Sequence, residues 1–241
     1  MRILRLGLLA VCMGLATTVS AQLLNASDVA IPQGNGSFDF KAVKTSGWSR
    51  IYFSCNPSNI AWDDGWDTDD ELFNGVTLGW LKGFNLTKKA PLYMEAGIGI
   101  QYRTDKDEDE VYYDIYEFAY AYRFSLLSLD IPANLLYRFN VNNDLSISPY
   151  FGLNFRFNVW GRARVELLIA DELISEKLNL FDVDDMVDGD GVWNRVQAGW
   201  HIGVGMDYRM LHLGIDYGTD FNEIFKYAKM ATTSIVLGVN F

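Results

Sequence analysis

The chain holds two histidines, His201 and His212, and Asp216 follows the second on the same period-two parity. An imidazole oriented by a carboxylate can serve as a general base, provided a nucleophile or acid lies within hydrogen-bond reach. No serine motif accompanies the pair. Both histidines instead share the glycine-bearing parity of their segments with Glu95, Arg103, Asp130, Arg138, Arg156, Arg195, Asp207 and Asp216. Charges of opposite sign gathered on one face can neutralise one another, so these residues are expected to form an internal polar network. No catalytic residue is assigned.

A second chemistry is suggested by three acidic runs, DDGWDTDDE (Asp63 to Glu71), DKDEDE (Asp105 to Glu110) and DVDDMVDGDG (Asp182 to Gly191). Carboxylate-rich loops can hold calcium. Asp182, Asp184, Asp188 and Asp190 are the metal-ligand candidates, but their spacing lacks the glycine and the closing glutamate of a helix-loop-helix calcium site. The expectation is solvated loops with no metal and no cofactor. The sharper alternative has the acids bridging lipopolysaccharide or a surface partner through divalent ions.

The elements that must position these groups show in the alternation. Between Trp193 and Met210, Val196, Ala198, Trp200, Ile202, Val204 and Met206 fall on one parity, and Arg195, Gln197, Gly199, His201, Gly203, Gly205 and Asp207 on the other. Successive side chains of a strand point to opposite faces, so this is a strand with one apolar and one polar face. The same reading predicts strands at Ser46–Cys55, Phe73–Phe84, Leu92–Arg103, about Phe124 to Phe139, Leu145–Val159, Trp193–Met210, Leu211–Thr219 and Thr232–Phe241. Such lengths suit tilted membrane strands, which need about 9–11 residues, better than soluble strands, whose lengths peak near five or six.

Connections alternate in kind. NLTKKAP, NVNND and a turn near Arg209–Met210 are short, whereas Asn56 to Leu72, Thr104 to about Arg123, Trp160 to Val192 and Asp220 to Ala231 are long. Outer-membrane barrels have short turns toward the periplasm and long loops outside. The expected fold is therefore an all-β, transmembrane, antiparallel up-and-down barrel of eight strands with both termini periplasmic. Two segments stay open. Val111–Phe124 either lengthens the third and fourth strands as a hairpin above the membrane or adds a pair that raises the count to ten. Gly161–Phe181 either continues the fifth strand upward or forms a short helix on the barrel mouth.

The parity that carries the charges must face the lumen, because an arginine turned to lipid near the midplane costs about 2–4 kcal/mol. Trp200 and its parity then meet lipid. Phe84, Tyr137, Phe139, Tyr208 and Phe241 form an aromatic girdle at the short-turn rim, and Tyr102, Phe157 and Tyr217 one at the other. Small eight-stranded barrels are filled by side chains, so a closed lumen is expected.

The start of the chain reads as a secretory leader: Arg2 and Arg5, an apolar run from Leu6 to Leu15, and Val19-Ser20-Ala21 before a cleavage at Gln22. Residues 22–45 have no period and read as a periplasmic tail; 46–241 form the barrel. Losing two arginines and no acids with the leader would change the net charge from −11 to −13. Such acidity excludes a nucleic-acid partner. Aromatics reach 15% while mean hydropathy is +0.01, as interleaved apolar and polar faces require.

LDIPANLLYRF (Leu129 to Phe139), SPYFGLNFRF (Ser148 to Phe157), LHLGIDY and SIVLGVNF resemble successive strands of the outer-membrane β-barrel family common in Bacteroidetes-type bacteria, which includes PorT-like and small OmpA-like barrels. The resemblance implies a barrel in the outer membrane, with terminal Phe241 similar to the aromatic that barrel-assembly machinery recognises. It brings no catalytic residues. The expected role is structural or surface-binding through the acidic outer loops, in contact with outer-membrane lipid and lipopolysaccharide. A narrow solute channel is the alternative, followed by a barrel enzyme or a soluble periplasmic β-barrel that binds a ligand.

Overall fold

The computed structural model describes residues 47–62, 71–87, 90–113, 116–169, 172–182, 192–226 and 228–241. The expected leader and tail lie outside them. Ten strands follow one another: β1 Trp48–Trp62, β2 Glu71–Asn85, β3 Leu92–Tyr113, β4 Tyr116–Tyr137, β5 Phe139–Asn140, β6 Leu145–Ile169, β7 Glu172–Asn179, β8 Val196–Tyr208, β9 Leu211–Asp220 and β10 Ala228–Asn240. Their hydrogen-bonded order, β4-β3-β2-β1-β10-β9-β8-β6, returns on itself because β4 also pairs with β6. Setting aside the two-residue β5 and the appended β7, both on β6, eight antiparallel strands make a closed ring.

Closure satisfies the backbone. β1 pairs with β10 from Arg50↔Asn240 to Trp62↔Ala228, and β4 with β6 from Leu136↔Tyr150 to Phe118↔Ile169. The ring therefore leaves no sheet edge at membrane depth, where an unpaired amide would find no water.

Both open segments resolve as extensions. Val111–Phe124 lengthens β3 and β4 into one hairpin, with partners running from Asp105↔Phe124 to Tyr113↔Tyr116. Gly161–Phe181 carries β6 on to Ile169 and returns as β7. DKDEDE accordingly lies within β3 rather than in a loop. The first loop also shortens, since β1 reaches Trp62 and β2 starts at Glu71. The sixth expected strand begins later than its alternation suggested, at Val196, and Trp193 to Arg195 precede it.

The two faces separate cleanly. On β8, Val196, Ile202, Val204 and Met206 are exposed while Gln197, Gly205 and Asp207 are buried. The apolar parity thus points out of the ring and the polar parity into it. A two-residue turn at Arg209–Met210 joins β8 to β9, with Arg209 at φ 54, the left-handed conformation that tight hairpin turns demand.

A closed, hydrogen-bonded ring resists SDS until heated. Extracted chain loaded without boiling is expected to migrate differently from boiled chain on a gel. A single unshifted band from folded material would be incompatible with this closure.

Candidate functional site

The lumen gathers its polar side chains in layers. Nearest the short-turn rim, Asp207 on β8 is the hub. Its Oδ1 lies 2.7 Å from His212 Nδ1 on β9 and accepts from Asn240 Nδ2 on β10 at 2.8 Å. Arg50 on β1 reaches Asp207 Oδ1 at 3.4 Å, and Arg138, just past β4, reaches Oδ2 at 3.4 Å. Arg50 also contacts Glu95 Oε1 on β3 at 3.0 Å, and its Nε donates to Asn240 Oδ1 at 2.8 Å. Trp48 Nε1 donates to the same Glu95 oxygen at 2.8 Å, while the Arg138 guanidinium stands 5.1 Å from the Trp48 ring centre. Because β9 and β10 separate β8 from β1 in the ring, the Arg50–Asp207 contact ties distant walls together.

In the middle layer glycines make the space. Asn134, Gly152 and His201 are successive register partners across β4, β6 and β8. His201 Nε2 lies 2.7 Å from Asn134 Oδ1 across the strand between them, and a β-carbon on Gly152 would stand inside that contact. Tyr52 lies over Gly79 and Gly99, where added β-carbons would meet its ring at 2.5 Å and its hydroxyl at 2.9 Å. Tyr150 donates to Asp216 Oδ2 at 2.9 Å.

Toward the other rim, Arg156 pairs with Asp220, which also accepts from Gln197 Nε2 at 3.1 Å. Arg103 is 1% exposed; its Nη2 donates to Thr232 Oγ1 at 3.4 Å, and its Nε and Nη1 have no partner among the described residues. Beyond this layer the inward positions turn apolar: Ile60, Phe73, Leu126, Ile224, Ala228 and Met230 cluster, and Trp193 packs against them. Trp193 stacks on Phe124 with ring centres 5.7 Å apart and meets Phe73 edge-on at 6.3 Å. Backbone bonds hold this segment over the mouth: Trp193 N to Leu180 O at 3.0 Å and Asn194 N to Ile224 O at 2.8 Å. A cavity of about 110 Å³ remains in the lumen, lined among others by Arg103, Asp130, Asn134, Tyr150, His201 and Asp216.

Of the residues expected in the network, Glu95, Arg103, Asp130, Arg138, Arg156, His201, Asp207 and Asp216 each meet a lumen partner or line this cavity. Arg195 does not. It is exposed and lies over the Phe181 ring at 4.4 Å, because β8 starts one residue after it. His212 takes Asp207 as its partner rather than Asp216, since the hairpin turn brings Asp207 opposite it in register. Sequence reasoning missed Arg50, Asn134, Tyr150, Gln197 and Asp220. Arg50 shares the inward parity of Trp48 and Tyr52 and was legible by the same rule; Asp220 was hidden by being placed in a loop.

Phe84, Tyr102, Tyr137, Tyr217 and Phe241 are exposed on the outside of the ring, and Phe139, Trp200 and Tyr208 are half-buried against neighbours. Trp200 stacks on Phe151, and Tyr137 packs on Phe139. Of the metal-ligand candidates, Asp184, Asp188 and Asp190 lie outside the described residues. Asp182 sits in a turn, its amide donating to Asn179 O at 3.2 Å.

Residues 9–241 match the model of the outer membrane protein beta-barrel domain. The chain belongs to that family. Among solved structures, this barrel is similar to Ail, the attachment invasion locus protein of Yersinia pestis, at 12% identity and a TM-score of 0.37, covering 82% of this chain and 100% of that one. It is also similar to neisserial surface protein A, at 12% identity and a TM-score of 0.38, covering 80% and 97%. The N-terminal barrel of Pseudomonas aeruginosa OprF matches at 12% identity and a TM-score of 0.29, covering 79% and 97%. No curated protein sequence matches the chain.

Removing the hub of this barrel's lumen should be costly. Asp207→Ala leaves Arg50 and Arg138 without their shared carboxylate and is expected to destabilise the fold by about 3–5 kcal/mol. Asp144→Ala, which breaks only an exposed contact to Arg209, should change stability by less than about 0.5 kcal/mol. Urea unfolding in detergent, followed by tryptophan fluorescence, compares them, and equal midpoints would refute the hub. Gly152→Val should also destabilise, by about 1–3 kcal/mol, by forcing His201 from Asn134. A Gly152→Val midpoint matching that of the unaltered barrel would show that this contact carries no weight.

Proposed function

We propose that this barrel works at the cell surface, as a structural or binding protein whose lumen is shut and whose working part is the sheet rising from its long-strand rim. The observation that carries the reading is strand length. β3 and β4 have 22 residues each and β6 has 25. At about 3.3 Å per residue such strands run on the order of 70–80 Å, against an apolar band about 25 Å tall. The surplus cannot be membrane-spanning. β7 widens it, so β3, β4, β6 and β7 form a four-stranded sheet that rises through the headgroup level and beyond the apolar band. The apolar layer around Trp193, Phe73 and Leu126 supports a closed lumen beneath it.

In this reading residues 1–21 are a cleaved leader, 22–45 a periplasmic tail, and both barrel termini face the periplasm. Phe241, exposed at the end of the ring, offers the terminal aromatic to the assembly machinery of a Bacteroidetes-type host. A narrow channel is the second reading, favoured by the 110 Å³ cavity with ionisable side chains in its lining.

An epitope inserted between Tyr113 and Tyr116 is expected to bind antibody on intact cells, and purified chain in a planar bilayer to give no conductance steps. An epitope reached only after lysis would invert the orientation. Conductance steps that persist after the hairpin is shortened would favour the channel.

A further inference from the structure

Across the rising sheet, one register row is wholly basic. Lys106 stands opposite Arg123, Arg123 opposite Arg164, and Arg164 opposite Lys177. Like charges directly opposed across a sheet are destabilising, and here they recur over four neighbouring strands in a chain of net charge −11. Arg162 sits in the next row toward the membrane, opposite Ser125 and Asn179. Arg123 and Lys177 are exposed. Glu166 Oε1 is 3.9 Å from Arg164 Nη1. With Glu108, opposite Ala121, it belongs to the following row outward.

Arg123, Arg162, Arg164 and Lys177 occupy the outer face of the ring, continuous with its lipid-facing side. On β4, Arg123 has the parity of Ser125 and Leu127. Tyr102 donates to Ser125 Oγ at 3.4 Å, and the Arg162 guanidinium lies 5.4 Å from the ring centre of Trp160. Tyr102 and Trp160 are exposed aromatics of the outer girdle. From Trp160, Arg162 is about 7 Å and Arg164 about 13 Å along the strand, or about 5 and 10 Å in height after a tilt near 40°. The polar headgroup layer of a bilayer begins at that level and is about 5–8 Å deep. Guanidinium groups held there, with their flanking aromatics in the interface, match phosphate in charge and in hydrogen-bond geometry.

We infer that this row is a docking surface for the phosphate groups of a phosphorylated glycolipid in the outer leaflet. The aromatics below it contact the acyl chains, and the cations above take the phosphates, whose charge removes the repulsion along the row. The inference rests on the outward orientation proposed above, but its test does not depend on it.

Full-length barrel in phosphatidylcholine nanodiscs would be titrated with bisphosphorylated lipid A and with its dephosphorylated analogue, retention being read by native mass spectrometry. The unaltered barrel is expected to retain the bisphosphorylated form at least about tenfold better. Arg123→Gln, Arg164→Gln and Lys177→Gln together should remove that preference, each charge accounting for about fivefold. Arg209→Gln, at the opposite rim, should leave it unchanged. Heat-dependent gel migration checks that the variants fold, and the single Arg123→Gln and Arg164→Gln variants report separately. Equal retention of the two lipids by the unaltered barrel, or undiminished preference in folded variants, would overturn the inference. Either result leaves the epitope experiment free to support or refute the surface role.

Discussion

The closing pair between β1 and β10 is the constraint on which the rest of this molecule depends. Backbone amides and carbonyls in hydrocarbon have no water to turn to, so a strand can cross only if both of its edges are paired. Once Arg50 to Trp62 has found Asn240 to Ala228, the ring has a fixed inside and outside. Every side chain is then assigned by parity. Leu78, Ile100, Ile202 and Ile215 go to lipid, and Arg50, Glu95, Asp207 and Arg156 go to the interior whatever their solvation cost.

That assignment makes the interior a problem of charge and volume together. Carboxylates reach Arg50, Arg138 and Arg156, and the reach is made across the tube rather than along the strands; Arg103 meets Thr232 instead. Arg50 touches groups from β3, β8 and β10 at once. Large side chains fit because glycines face them: Gly152 between Asn134 and His201, Gly79 and Gly99 beneath Tyr52. Glycine is usually weak in strands, but here the missing side chain on one wall is the room for a ring or imidazole from another. The polar column ends where inward positions turn to Phe73, Leu126 and Met230, an apolar layer on which Trp193 packs.

Above the rim the same strands obey different rules. They no longer need an apolar outer face, and the alternation that announces a membrane strand fades into acids, bases and aromatics. What keeps the sheet intact there is continuity: β3, β4 and β6 leave the ring already paired and in register. The register also lines up Arg123, Arg164 and Lys177, three residues from distant parts of the chain with no sequence relation.

Alternation alone determined that this chain forms an antiparallel barrel and which parity turns into it; the count stood at eight or ten until Val111–Phe124 proved to lengthen β3 and β4. Period two is set by the pleat of each strand and needs no knowledge of its neighbours. Sequence reasoning stopped where one face no longer differs from the other. Asp105–Glu110 looked like a loop because both faces of a strand standing in water can be polar, and for the same lack of alternation Gly161–Phe181 stayed open between strand and helix. Arg195 was taken for a lumen residue because alternation does not mark where pairing starts. Which charge meets which was decided by tertiary structure alone. Asp207 meets Arg50, Arg138 and His212, and Asp220 meets Arg156, because partners in a barrel are chosen by register and by height across the lumen. Neither quantity exists until the ring has closed.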